Sequence, residues 1–222
     1  MPSGEAMIAD MNAWLKGEPV PPYAELLARW GKIFRMYRDA LDDRVDFETS
    51  VEQLTKQFSE VWRLRDEVAI PTFGFSLPCA EVLDTLAKHA PILEVGAGTG
   101  YWTALMRHRG IEVIGTDPDL QHHWKDGVGR YDPHQARLEA KTAVRRYPDR
   151  TVFCSWPSLN QTWFRQALKA MRRGQCVIVI EEDACADDRT WNYRDAHFES
   201  EEHITVPAWY GCNDRCGVWR KR

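Results

Sequence analysis

Apolar residues recur with two different periods along the chain, and the change between them lies near residue 75. Before that point, apolar side chains return at three- and four-residue steps in two stretches, about 26–41 and 47–68. That spacing predicts two amphipathic helices. Beyond it, short apolar runs alternate with helical segments. We therefore predict an N-terminal helical extension over residues 1–75 and a main domain over residues 76–222.

The main domain contains several short apolar segments of the strand type, separated by helical patterns. Alternating strands and helices predict an α/β fold with a doubly wound, mostly parallel sheet. The last two segments surround a Pro- and Cys-containing turn and predict antiparallel closure of that sheet. In such sheets ligands bind at the carboxyl ends of the strands. The predicted strands lie near residues 92–95, 112–116, 134–140, 151–154, 175–180, 203–206 and 217–220.

The most specific motif is the glycine-rich turn that follows the first of these strands. Residues 94–100 read Glu-Val-Gly-Ala-Gly-Thr-Gly, and a helix is predicted to begin directly after them. Glycine permits positive φ and close approach of a ligand, and a helix start directs free N–H groups at that ligand. A Walker phosphate loop needs a Lys that is missing here, and the dinucleotide loop needs glycine in place of Tyr101. The third class with such a turn binds S-adenosylmethionine, through an acidic residue, one apolar residue and G-x-G-x-G.

Through this motif the main domain resembles the class I, Rossmann-like S-adenosylmethionine-dependent methyltransferases, over about residues 76–222. The turn at 154–157 (Cys-Ser-Trp-Pro) and the final Val-Trp-Arg at 218–220 also resemble a group of methyltransferase-like proteins with no established substrate. The resemblance implies S-adenosylmethionine as the cofactor. It also implies that Glu94 organises the loop and the methionyl amino group. The loop residues that it assigns to the cofactor are Gly96, Ala97, Gly98 and Gly100.

Three further candidates follow later strands. Asp117 ends the second strand, 21 residues after Gly96. Its carboxylate can accept hydrogen bonds from both hydroxyls of a ribose. An acid in this position plays the same role in NAD-dependent dehydrogenases, so Asp117 alone does not identify the cofactor. A purely structural alternative is that Asp117 stabilises a turn before Pro118. By resemblance, Glu139 contacts the adenine, and Ser155 lies in the turn beside the transferring methyl group.

The turn at Ser155 departs from the pattern of one branch of the resembling family. Amino methyltransferases that act on bases carry Asp/Asn-Pro-Pro-Tyr there, whereas this chain has Ser, Trp and a single Pro. The departure argues against base methylation. Trp156 is expected either to wall the methyl site or simply to pack. The acids that follow the fifth strand, Glu181, Glu182 and Asp183, are read as solvated loop residues, or one of them as a general base.

Composition narrows the range of partners. The chain has 29 Lys and Arg against 33 Asp and Glu, a net charge of −4, so electrostatic nucleic-acid binding is not expected as the main activity. Only Cys212 and Cys216 among six cysteines are close in sequence, and no second ligand pair accompanies them, so no metal site is expected. The sequence contains neither a membrane-length apolar run nor a signal-peptide pattern, and we expect a cytosolic protein.

The sequence therefore predicts a methyltransferase that uses S-adenosylmethionine on a small-molecule or otherwise unidentified acceptor. Two alternatives stay open. One is a non-catalytic protein on the same fold that binds the cofactor or a partner. The other is a nucleotide-dependent oxidoreductase, against which Tyr101 argues. No catalytic residue and no oligomeric state follow from the sequence.

Overall fold

The computed structural model describes residues 70, 74–118, 132, 134–159, 161–182, 185–208 and 212–222. The two helices predicted before residue 70 lie outside these residues, and so does the proposed N-terminal extension apart from residues 70, 74 and 75. The described part contains five helices and six strands. In chain order they are α1 (Ala80–Lys88), β1 (Ile92–Val95), α2 (Tyr101–His108), β2 (Val113–Thr116), α3 (Ala140–Arg146), β3 (Thr151–Ser155), α4 (Trp163–Ala170), β4 (Cys176–Glu181), α5 (Asp188–His197), β5 (Phe198–Thr205) and β6 (Arg215–Lys221).

The strands form one sheet in the order β2-β1-β3-β4-β6-β5. The first four are parallel, and β6 and β5 close the sheet as an antiparallel pair. This arrangement confirms the predicted α/β class, a doubly wound and mostly parallel sheet with antiparallel closure. Because the chain leaves β1 toward β2 and later returns to β3 on the other side, the strand order reverses at β1. A crevice for a ligand is expected there, outside the carboxyl ends of β1 and β3.

Side chains of the central strands alternate between two apolar layers. Ile92 and Phe153 lie in the layer that contains α1 and α2. Leu93 and Val152 lie in the layer that contains α3 and α4. This alternation follows from the two-residue period of a strand, and burial on both faces explains why these segments are apolar almost throughout.

The prediction of a strand within residues 134–140 is wrong in its extent. It is reduced to a single parallel bridge between Ala136 and Thr116. The segment contains none of the β-branched or aromatic residues that favour strands, and its backbone turns into α3 three residues later. Glu139 therefore precedes a helix, where a strand end was expected.

The first helix of the domain begins later than its sequence suggested. The sequence Ser76-Leu77-Pro78 predicts a helix start with Ser76 as its N-cap. In the structure α1 begins at Ala80, and Cys79 precedes it without a side-chain cap. The hydroxyl of Ser76 is instead engaged with Ser155 and Trp102, far away in sequence. Tertiary contacts therefore engage the Ser76 hydroxyl, which the local sequence pattern assigns to the helix cap.

Candidate functional site

A cavity of about 350 Å³ opens at the carboxyl ends of β1 and β3, the position expected from the strand order. Its size is within the range of small-molecule sites. Seven of the eight residues predicted to hold the cofactor line it, and Gly100 is the exception. Those seven are Glu94, Gly96, Ala97, Gly98, Asp117, Glu139 and Ser155.

The glycine-rich loop turns sharply between β1 and α2 because its three glycines adopt positive φ. The angles are 67° at Gly96, 53° at Gly98 and 76° at Gly100. Gly100 lies outside the cavity because it caps α2 and faces Asp132, whose Cβ is 3.0 Å from the place where a Cβ on Gly100 would stand. The amide of Ala97 donates to the carbonyl of Thr116 at 3.0 Å, which ties the loop to β2.

Gly96 and Gly98 offer a matched pair of substitutions. A Cβ on Gly96 would lie 2.8 Å from the indole of Trp163, whereas a Cβ on Gly98 would meet no atom within 4 Å. Both positions carry the strain of positive φ, about 1 kcal/mol, but only Gly96→Ala adds overpacking of about 1–3 kcal/mol. Urea unfolding should therefore show Gly96→Ala as the more destabilised variant. Equal losses would contradict the close contact, and Gly96→Ala with Trp163→Leu should recover the excess.

Glu94 is a buried acid at the floor of the cavity, only 2% exposed. Its carboxylate accepts a hydrogen bond from the hydroxyl of Thr103, on α2. The pKa of Glu94 is raised to about 8, chiefly by burial; the hydrogen bond from Thr103 lowers the pKa, and the charges of Asp132 and Asp117 raise it. Near neutral pH the side chain is therefore largely a neutral acid, which a neighbouring cation would ionise.

Asp117 follows β2 and lies beside the glycine loop, 3% exposed. Its Oδ2 accepts a hydrogen bond from the amide of Gly98 at 3.0 Å. The carboxylate of Asp117 therefore lines the cavity and, through this hydrogen bond, holds the glycine-rich loop in place. The structure brings the two sequence-predicted anchors, loop and acid, into direct contact.

Glu139 and Lys141 border the cavity at the start of α3. Glu139 is exposed and makes no capping hydrogen bond with its side chain. Asp117 and Pro118 line the same cavity. The single bridge between Thr116 and Ala136 holds the segment before α3 against the end of β2.

Trp156 stands at the end of β3 in an unusual backbone conformation, with φ of 57°. Its amide donates to the carbonyl of Ile180 at 2.9 Å, and its indole N–H donates to Asp214 at 3.0 Å. The indole stacks on Phe75, with ring centroids 5.4 Å apart and an angle of 14°. Contacts from three segments therefore hold a left-handed turn, of a kind that costs about 1–3 kcal/mol and concentrates at functional sites.

The first turns of α4 contribute cavity residues that the sequence did not single out. Trp163 and Gln166 both line the cavity, and Gln161 does so just before the helix. In the sequence, Trp163 belongs to one apolar helix face together with Phe164, Ala167, Leu168 and Met171. The available signal was the three-residue spacing of Trp163 and Gln166, which places them on one helix face.

Glu181 has neither of the roles weighed for it. It is the last residue of β4, 3% exposed, and it forms an ion pair with Arg194 at 2.6 Å. Arg215 lies 3.5 Å away, and Glu181 does not line the cavity. Glu182 accepts a hydrogen bond from the amide of Asn213 at 3.4 Å, and Asp183 lies outside the described residues. The expectation of a solvated loop acid or general base at Glu181 is therefore wrong, because the strand extends one residue further and its end is paired.

Among the described residues, no cluster of His, Cys, Asp and Glu has the arrangement of a metal site. Cys212 is half-buried and Cys216 is buried. No helix in the described ranges has the length and apolar character needed to span a bilayer.

No family model matches the sequence, and no curated protein matches it. Solved methyltransferases are similar to the chain in fold. The antibiotic-resistance methyltransferase Kmr is 15% identical over 66% of this chain and 95% of its own, with a TM-score of 0.39. An rRNA methylase from Streptococcus thermophilus is 10% identical over 64% and 94%, with a TM-score of 0.42. The N-methyltransferase NodS from Bradyrhizobium japonicum is 12% identical over 64% and 93%, also with a TM-score of 0.42.

Proposed function

We propose that the protein is an S-adenosylmethionine-dependent methyltransferase. The observation that carries this proposal is the joint position of the glycine loop and Asp117 around one cavity, with the Gly98 amide bonded to the carboxylate. A loop of this kind offers backbone close to a ligand, and a carboxylate beside it suits two adjacent hydroxyls. The cavity lies at the switch point of the sheet, where α/β folds bind ligands.

The residues present fit this cofactor in charge as well as in volume. Asp117 would hold the ribose, and Glu139 would lie beside the adenine. Glu94, at the floor of the cavity, would take the methionyl ammonium, because a cation favours the ionised form of a buried acid. When bound, the cofactor supplies a methyl group already activated by its sulfonium.

The work left to the protein is alignment and exclusion of water. Orientation of two reactants in one site supplies about 7–11 kcal/mol of a barrier. The apolar walls of the cavity, among them Trp102, Trp156 and Trp163, serve that purpose by displacing water. Such a reaction requires neither a nucleophile triad nor a metal ion from the chain.

The direct test is calorimetry with S-adenosylmethionine and with S-adenosylhomocysteine. We expect both to bind, and we expect Asp117→Ala to weaken binding about 10- to 150-fold, the loss of a hydrogen bond to a charged group. Asp84→Ala is the matched control, since it removes an acid on α1 that does not line the cavity. Absence of binding to the wild-type chain at millimolar ligand would reject the proposal. Unchanged affinity in Asp117→Ala would remove Asp117 from the site.

A non-catalytic cofactor-binding protein is the second candidate, and the reduction of the third strand to one bridge favours it. The two candidates differ in turnover. Incubation of the protein with radiolabelled donor and fractionated cell extract should transfer label to an acceptor if the protein is an enzyme. Donor binding without any transfer would favour the second candidate.

A further inference from the structure

A chain of three hydrogen-bonding groups runs behind one wall of the cavity. The indole N–H of Trp102 donates to the hydroxyl of Ser76 at 3.1 Å. The Ser76 and Ser155 hydroxyl oxygens are 2.6 Å apart. Ser76 is buried behind the wall at 1% exposure, whereas Trp102, at 4%, and the half-buried Ser155 both line the cavity.

The donor and acceptor inventory gives this chain a direction. An indole N–H can only donate, so the Ser76 oxygen accepts from Trp102. The Ser76 hydrogen is buried, and the Ser155 oxygen is the acceptor that the structure provides for it. If Ser155 donated instead, the Ser76 hydrogen would be buried without a partner, which is costly. Ser76 therefore donates to Ser155, and the hydrogen of Ser155 is left to point at the cavity.

The position of Ser155 relative to Glu94 indicates which group it meets. Glu94 on β1 is the register partner of Phe153 on β3, so Ser155 lies two residues further along the neighbouring strand. Neighbouring strands are about 4.8 Å apart, and two residues add roughly 6.6 Å along the strand. A gap of this size suits one α-amino acid group, with its ammonium at Glu94 and its carboxylate at Ser155.

The charged side chains of the cavity wall bear on which kind of group could hold that carboxylate. Three carboxylate residues line the cavity, Glu94, Asp117 and Glu139, and the lysine among its lining residues, Lys141, stands beside Glu139 on α3. A carboxylate of the ligand near Glu94 therefore needs an uncharged donor. A hydroxyl that already accepts a hydrogen bond is polarised and is a stronger donor than an isolated one.

We propose that Trp102 and Ser76 are positioning residues that aim the hydroxyl of Ser155 at the carboxylate of the cofactor's methionyl end. This inference rests on the proposed function and adds to it a specific recognition of the amino-acid part of the cofactor. Ser155 is the binding residue, and the other two act through it.

The test compares two ligands that differ at the methionyl end. S-adenosylhomocysteine carries the carboxylate, and 5′-methylthioadenosine lacks the whole amino-acid group. Calorimetry should show that Ser155→Ala weakens S-adenosylhomocysteine about 10-fold or more and leaves 5′-methylthioadenosine within twofold. Ser155→Thr keeps a hydroxyl and should restore most of the affinity. Equal loss for both ligands, or no loss for either, would overturn the assignment.

A double-mutant cycle separates positioning from support of the fold. Ser76→Ala should weaken S-adenosylhomocysteine about threefold to tenfold, and adding it to Ser155→Ala should cause no further loss, because its effect passes through Ser155. Additive losses would show that Ser76 only supports the structure. Ser76→Cys keeps the volume and lacks the strong hydroxyl donor, and it provides a second route to the same comparison if Ser76→Ala does not fold. Failure of wild-type protein to bind S-adenosylhomocysteine would instead reject the proposed function itself.

Discussion

Replacing Glu94 by Gln is expected to remove a pH dependence of roughly 4 kcal/mol from the stability of the protein between about pH 5 and pH 8. The pKa of Glu94 is raised to about 8 in the folded protein, chiefly by burial, from an ordinary value of 4.5. The folded state therefore keeps a proton that the unfolded state has lost. Stability from this group is fully present below the unfolded pKa and is lost as pH rises through the folded pKa.

Urea unfolding at a series of pH values measures this effect. Wild-type protein should lose stability relative to Glu94→Gln as pH rises, because a neutral amide never has to ionise in the core. Glu139→Gln is the control, since Glu139 is an exposed acid on the same cavity. Parallel stability curves for wild type and Glu94→Gln would contradict a raised pKa.

The same residue links the cofactor to protons. If an ammonium binds beside Glu94, the acid ionises, and near pH 7 up to about one proton leaves the protein on binding. Calorimetry of S-adenosylhomocysteine in two buffers of different ionisation enthalpy should detect that release in wild type and not in Glu94→Gln.

Replacing Arg194 by Met is expected to cost about 3–5 kcal/mol of unfolding free energy, because it leaves Glu181 as a buried charge that has lost its closest partner. Arg194 donates to Glu181 at 2.6 Å and is itself 8% exposed. Its guanidinium also lies 4.8 Å from the ring centre of Trp191 and 4.1 Å from that of Trp219. Such cation–π contacts add to the loss.

A second substitution identifies the cause of that loss. Adding Glu181→Gln to Arg194→Met removes the orphaned charge and should recover a large part of the stability, as measured by urea unfolding. Arg194→Lys keeps the charge without the planar group and should fall between wild type and Arg194→Met. A loss below about 1 kcal/mol for Arg194→Met would mean that Arg215, 3.5 Å from Glu181, suffices as a partner.

This pair also bears on function. Glu181 is the last residue of β4, the most β-branched strand of the sheet. The sequence predicts it at the edge of the sheet where ligands bind. Its pairing with Arg194 and Arg215 assigns it to the fold, where it joins β4 to α5 and β6. The acids left at the cavity are Glu94, Asp117 and Glu139.

Several features could be predicted from the sequence because they depend on neighbours along the chain. The apolar runs of β1, β3 and β4 and their alternation with helices determine a parallel sheet, since strand and helix periods are local. The glycines at 96, 98 and 100 determine a turn with positive φ, since only glycine adopts it freely. The spacing from Gly96 to Asp117 placed an acid beside that turn, because parallel neighbours end at one edge.

Other features were decided only by the tertiary structure, because they depend on residues that meet across the chain. The hydroxyl of Ser76 does not cap a helix and instead forms a hydrogen bond with Ser155, 79 positions away in the sequence. Trp163 packs against the core and also covers Gly96 at the cavity wall, and Glu181 pairs with Arg194 on a later helix. A buried polar group takes whichever partner the packing brings to it. Sequence periodicity describes which face is buried and carries no information on that choice.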